Sequence, residues 1–230
     1  MKILALDSSS GACSAAVRLD GNTIARRFEI MERGQSERLM PMVKDLLDET
    51  GVAISDLDLI AVTVGPGAFT GLRIGLAAAR GLALALGKPC FGVTTTQAVA
   101  AGAAGDAPLL VAIDSKRADL FVQVFSSPQC AASEPAAVAP ENLAALVEAA
   151  LPGLRRIEVV GNATAAALQA LADASFTSSP ADALPHPDAA IVAALAEGQW
   201  QPGVDAVSPA PLYLRAPDAI APVNGGRLRP

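Results

Sequence analysis

Aromatic residues are scarce in this chain, 3% of 230 positions, with one Trp and one Tyr. A core with so few rings must be built from Ala, Leu, Val and Ile. Trp200 and Tyr213 therefore read as packing residues, not as platforms for stacking bases. Histidine is scarcer still: His186 stands alone, between two prolines. That excludes HxxxH and HExxH metal sites and leaves a Ser-His-Asp triad without a positioned base. The three cysteines, Cys13, Cys90 and Cys130, are far apart and form no CxxC. An odd count without metal spacing fits a reducing cytoplasm, and Cys13, inside a predicted strand, reads as core. Long uncharged apolar runs are missing. The longest stretch, 71–87, is broken by Arg73 and Arg80, and MKILALD meets an acid at Asp7. Neither a membrane span nor a signal-peptide core is expected, and the predicted location is cytoplasmic. Positive charge is short as well. Residues 1–100 hold ten Lys/Arg against ten Asp/Glu, and residues 101–230 hold seven against thirteen, giving the net −6. With no basic stripe, unaided nucleic-acid binding is not expected.

What remains is a chain 52% hydrophobic and 17% charged, the composition of an α/β globule. It opens with three predicted strands, 2–7, 12–19 and 23–30, the latter two joined by Asp20-Gly21-Asn22 as a hairpin. A helix is predicted over 36–50, with Ser36 as N-cap, Pro41 inside it and Gly51 closing it. Its apolar residues cover about half its circumference, so it is either well buried or buried on one side and docked on the other. A buried strand at 58–64, a glycine loop, a helix to Leu86, a strand at 90–93 and a short helix at 96–103 follow. Then the pattern restarts. LLVAID at 109–114 again ends in an acid before a turn, and a strand (119–126), helix (140–151), strand (157–160) and helix (162–173) come after it. We read a duplicated β-β-β-α-β-α lobe. Residues 176–188 look like a Ser/Pro-rich loop, 188–198 like one more helix, and the last part of the proline-rich tail 201–230 is expected to be poorly ordered. The predicted division is 1–104, 105–200 and 201–230.

The loop GPGAFTGLRIG at 65–75 raises the question of phosphate binding. A P-loop requires GxxxxGK[ST], but Gly65 and Gly71 are one residue too far apart and Leu72-Arg73 follow. A Rossmann loop requires GxGxxG and an acid at the end of the next strand; Thr70 and Val93-Thr94 stand there instead. An anion at the helix N-terminus stays physically open. The favoured alternative is helix packing. Gly71, Gly75 and Ala79 lie at i, i+4 and i+8, with Ala78 and Gly81 beside them, a small-residue surface that lets a second helix approach closely. Arg73 and Arg80, seven apart on one face, suit acids on a neighbouring helix. Asp7-Ser8-Ser9-Ser10 is a second candidate, an acid at a strand end before a hydroxyl turn, and Asp114-Ser115-Lys116 repeats it. Actin-like ATPases and sugar kinases place a metal-bound phosphate on such a turn, yet Asp-Ser is also a common turn starter.

Five segments carry a resemblance: ILALDSSSGACSAAV (3–17), SERLMPMVKDLL (36–47), VGPGAFTGLRIGLAAARGLALALGKPCFGVTT (64–95), AIDSKRADLFVQVF (112–125) and PLYLR (211–215). They resemble the bacterial TsaB (YeaZ) family, most densely over residues 1–126. The resemblance implies an α/β, two-lobed actin/Hsp70/sugar-kinase-like (ASKHA) fold. It also implies a non-catalytic scaffold in the synthesis of threonylcarbamoyladenosine at position 37 of tRNA, with no intrinsic enzyme activity and no intrinsic cofactor. The implied partners are the catalytic paralogue TsaD and the P-loop ATPase TsaE, which would supply the ATP and metal sites. tRNA would be met only through the complex, and a homodimer would use the same first-lobe surface. From that we expect a partner interface on Leu39, Met42, Val43, Leu46, Phe69, Arg73, Ile74, Gly75, Ala78 and Arg80. One departure is Gln35, where the family often has His. Two rival readings are an ATPase or phosphotransferase using Asp7 and a peptidase, an old label for relatives that the missing histidine pair argues against.

Overall fold

The computed structural model describes residues 1–201 and 208–215. Each half of it begins with antiparallel strands. β1 (Lys2–Ser10), β2 (Ala12–Leu19) and β3 (Asn22–Ile30) form a meander, and the β2–β3 turn places Asp20 at φ 45° and Gly21 at φ 84°. Two consecutive positive φ values match the right-handed twist of the strands, which is why Asp-Gly serves there. α1 (Gln35–Thr50) then carries the chain to β4 (Leu59–Gly65), parallel to β1. α2 (Phe69–Leu86) carries it on to β5 (Cys90–Thr94), parallel to β4, and the sheet order is β3-β2-β1-β4-β5. The short α3 (Thr95–Ala100) starts from a capping box between Thr94 and Gln97.

The second half repeats this order. β6 (Leu109–Asp114) and β7 (Leu120–Ser127) pair antiparallel, and two short strands, β8 (Cys130–Ala131) and β9 (Ala136–Val138), both pair with β7. α4 (Leu143–Ala150) leads to β10 (Arg156–Val160), parallel to β6. α5 (Thr164–Ala170) leads to β11 (Thr177–Pro180), parallel to β10. The duplicated β-β-β-α-β-α lobe is present, with its third strand split between β8 and β9.

Three expectations change. α1 has no Ser36 cap: Gly34, at φ 95°, precedes it, and no side chain caps the helix. Instead Gln35 Nε2 donates to the Met31 carbonyl at 3.1 Å. The segment at 176–188 holds β11, whose sequence TSSP has no apolar alternation; the β10 backbone ladder makes it a strand. Finally α6 (Ala189–Gln199), expected with the second lobe, lies on the first sheet. Its Ala189, Val192, Ala193 and Ala196 are buried with Ile3, Ala5, Leu59 and Ala61. Arg18–Glu197 and Arg26–Asp188 pairs, both 2.6 Å, fasten its two ends. An Ala-rich helix with so little polar contrast does not specify which sheet it covers. The last portion of the tail, 216–230, lies outside the described residues.

The first sheet is therefore covered on both faces. Leu4 and Leu6 point to α1 and α2, Ile3 and Ala5 to α6, and β1 and β4 read as near-continuous apolar runs for that reason. The lobes meet at an apolar joint, where Val99 and Ala100 of α3 pack with Leu109, Val111, Phe121 and Phe125. Beside it the Thr96 hydroxyl donates to Gln123 Oε1 at 2.5 Å. Residues 208–215 run as an irregular strap from the first lobe to the second.

Candidate functional site: Asp7 and the outer face of α2

The glycines of the 65–75 loop face inward. A Cβ on Gly71 would stand 2.1 Å from the Ser8 carbonyl oxygen, one on Gly67 2.3 Å from that of Ser9, and one on Gly75 2.9 Å from Ser8 Oγ. Ala68 N donates to the Ser9 carbonyl at 2.8 Å, and Ser8 Oγ donates to the Gly71 carbonyl at 2.8 Å. The small residues thus seat α2 on the end of β1 within this chain. That corrects the expectation that Gly71, Gly75 and Ala79 form a surface for a foreign helix.

The same correction applies to α1. Leu39, Met42, Val43 and Leu46 are buried in the first-lobe core and are not free to touch a partner. The core needs that face of α1 because the sheet offers Leu4, Leu6 and Val62 against it. Ile74 and Ala78 are partly buried against the same core. Arg73 is used internally: its Nε donates to Tyr213 Oη at 3.1 Å, and its guanidinium lies 3.7 Å from the centre of the Phe69 ring. Arg80 is exposed beside a cavity of 580 Å³ at Gly87–Cys90.

What α2 leaves outside is another face. Thr70, Arg73, Ala77, Gly81 and Leu84 are exposed at helical spacing, with Leu84 86% exposed and Phe69 53%. The helix is 18 residues long with a mean hydropathy of 1.4, enough by length and composition to cross a membrane, and only 28% of it is buried. Its Gly71, Leu72, Gly75 and Leu76 side is committed to the sheet, and the outward face carries Ala77, Gly81 and Leu84 together with Arg73 and Arg80. Met40 of α1, 42% exposed, lines a 530 Å³ groove with Leu47 and Ile54.

The two Asp turns have different chemistry. Asp7 is fully buried. Its Oδ1 accepts from Ser9 N (3.1 Å), Ser9 Oγ (2.6 Å) and Thr63 Oγ1 (2.6 Å), while Oδ2 has no partner. Burial pushes its carboxyl up to about 6, against the pull of the Ser9 and Thr63 hydrogen bonds. Asp114 is partly exposed, and Lys116 holds it through its amide (2.7 Å) and its ammonium (2.8 Å). Burial works against that carboxylate, but Lys116 outweighs it and keeps Asp114 below the usual range. An Asp7 sealed from solvent cannot reach a phosphate-bound metal without movement of the α2 loop.

His186 has more context than its flanking prolines suggest. Its Nδ1 lies 3.0 Å from Ser10 Oγ, and its ring packs on Gly11, where a Cβ would meet it at 3.1 Å. Burial, with Lys116 nearby, lowers its pKa. It lines a 630 Å³ cleft between the lobes with Asp114 and Asn162. Among the described residues no three of His, Cys, Asp and Glu gather as metal ligands. Cys13 is core, and burial pushes its thiol up to about 12. A second cavity, 780 Å³, lies between the first turn of α2, the Ser115–Arg117 turn and the strap, with Tyr213 and Arg215 on its wall.

A two-lobed α/β fold with this element order is the actin-like fold. The ROK hexokinase of Thermus thermophilus shares it, with a TM-score of 0.51 over 86% of this chain and 99% of that one, at 17% identity. A family model described as TsaD, tRNA N6-adenosine threonylcarbamoyltransferase, matches residues 28–219. A crystal structure from Pseudomonas aeruginosa, described as similar to the peptidase YeaZ, superposes with a TM-score of 0.80 at 32% identity. The match covers 93% of this chain and 99% of that one. The tRNA threonylcarbamoyladenosine biosynthesis protein TsaB of Escherichia coli strain K12 is 40% identical over 124 residues. That match takes in 53% of each chain, so this chain spans about half the length of the curated relative. The chain belongs to the TsaB/YeaZ branch of the TsaD family.

Proposed function

We propose that the chain is a non-catalytic, partner-binding subunit in the synthesis of tRNA threonylcarbamoyladenosine. The observation that carries this reading is the exposed strip of α2, an apolar 18-residue helix with 28% of it buried, on a lobe whose Asp7 is closed off. An exposed apolar strip on a well-packed helix marks a docking surface. Bilayer insertion fits poorly, because α2 is the crossover between the paired parallel strands β4 and β5, and its Gly71, Leu72, Gly75 and Leu76 side is packed on the sheet. The partner is the larger TsaD paralogue, docked helix against helix, and a second copy of this chain would use the same strip. TsaE joins that pair, ATP and metal stay on the partner subunits, and tRNA is met through the assembly.

The test places charge on the strip and leaves the core alone. Ala77→Arg and Leu84→Glu together should weaken binding to TsaD about 30-fold, roughly 2 kcal/mol, by calorimetry. The circular dichroism and melting temperature of the isolated variant should match the parent. Equal affinity in parent and variant would sink this interface. Gly75→Leu is not a useful probe, since a side chain there strikes Ser8 and tests folding instead.

A further inference from the structure

The strap touches both lobes within seven residues. On the first lobe, Pro209 is buried beside Gly92, and Leu212 N donates to the Val64 carbonyl at 2.7 Å. Tyr213 stacks on Phe69 with ring centres 5.5 Å apart, and its hydroxyl accepts from Arg73. On the second lobe, Leu214 packs into the joint that holds Val111 and Phe121. Arg215 pairs with Asp119, donates to Ser115 Oγ at 3.1 Å and lies over the Phe121 ring at 5.2 Å. The Arg215 and Asp119 side chains are only 26% and 24% exposed, so water and salt screen this pair less than an open surface pair.

We propose that residues 208–215 are an interlobe latch, which transmits the state of the exposed first turn of α2 to the β6–β7 turn of the second lobe. Two geometric facts support it. Tyr213 and Arg215 are two residues apart, a span of about 7 Å in an extended chain, too short to absorb a displacement of either end. Phe69 and Tyr213 are 53% and 42% exposed, so anything seated on the first turn of α2 presses directly on the strap. The strap also walls the 780 Å³ cavity, and its movement would change that cavity's shape. This proposal requires only that the turn be reachable, and it stands or falls separately from the identity of the partner.

Amide hydrogen exchange of the full chain tests it. Tyr213→Ala, whose lost contacts are with Phe69 and Arg73, should raise exchange at residues 114–120 at least fivefold. Arg215→Ala should do the same and also loosen 69–73, with α1 and β1–β3 unchanged. Asp119→Asn should reproduce Arg215→Ala from the other side of the pair, and Arg215→Lys should restore part of the protection. If Tyr213→Ala loosens only 69–73, the strap is two independent contacts and the latch is lost. Unchanged exchange at 114–120 in Arg215→Ala removes the second-lobe hook altogether.

Discussion

Gly71→Ala should destabilise the chain by about 4 kcal/mol or more, or prevent folding, although it adds a single methyl group. The new Cβ would stand 2.1 Å from the Ser8 carbonyl oxygen. Real Cβ atoms do not approach that closely, and the obstacle is backbone, which cannot rotate away. Relief requires α2 to lift off β1, and lifting it breaks the Ala68-to-Ser9 and Ser8-to-Gly71 hydrogen bonds and opens the contact of Leu76 and Ala79 with the core. Overpacking alone costs about 1–3 kcal/mol, and the broken bonds and lost burial add to it. Gly81→Ala is the control. That glycine is on the same helix, is exposed, and has nothing within 4 Å of an added Cβ, so the alanine should stabilise by up to about 1 kcal/mol through helix propensity. Urea unfolding of the pair measures both. Equal midpoints would defeat the seating of α2 on β1.

Asp7→Asn should change sign with pH. The buried carboxyl is raised from 3.8 to about 6, so the native state holds its proton more tightly than the unfolded chain does. Its favourable contribution is complete below about pH 4 and is lost as pH rises through about 6. Roughly two pKa units correspond to about 3 kcal/mol. The amide cannot ionise, and its oxygen can still accept from Ser9 and Thr63, whereas its NH2 inherits the unpartnered Oδ2 position. The stability of the variant relative to the parent should therefore improve by about 3 kcal/mol between pH 4 and pH 8, read from melting or denaturant curves. A constant difference across that range would mean that Asp7 is not sealed. A phosphate-handling Asp7 would instead sit open to the cleft and show little of this dependence.

The lobes were legible in sequence because the signals are local. An apolar run ending in an acid, a hydroxyl turn and a second apolar run occur at 2–19 and 109–126, and both became antiparallel pairs. Asp20-Gly21 announced its hairpin through the dihedrals that it permits. The site was harder to read. Helical spacing of Gly71, Gly75 and Ala79 shows that something approaches closely, and is the same whether that is a strand of this chain or a helix of another. Leu39, Met42, Val43 and Leu46 likewise mark an apolar face without naming its neighbour. The useful signal lay on the opposite side of α2, where Ala77, Gly81 and Leu84 share the outward face with only two charges, Arg73 and Arg80. β11 had no signal of its own, since TSSP becomes a strand only beside β10. The strap contacts between residues 69 and 213 or 119 and 215 depend on the tertiary arrangement and have no local pattern.

The docking of α6 on the first sheet sets an order of events during synthesis. The helix comes 95 positions after the end of β5, as their bounds at Thr94 and Ala189 show. Until it emerges from the ribosome, Ile3, Ala5, Leu59 and Ala61 have no cover on their side of the sheet. The second lobe can close around its own strands first, because its contacts are nearer in sequence. The first lobe, although made first, is finished last. A nascent chain halted near residue 104 would expose that apolar face, and chaperone binding to such a stalled chain should fall once residues through 199 are available.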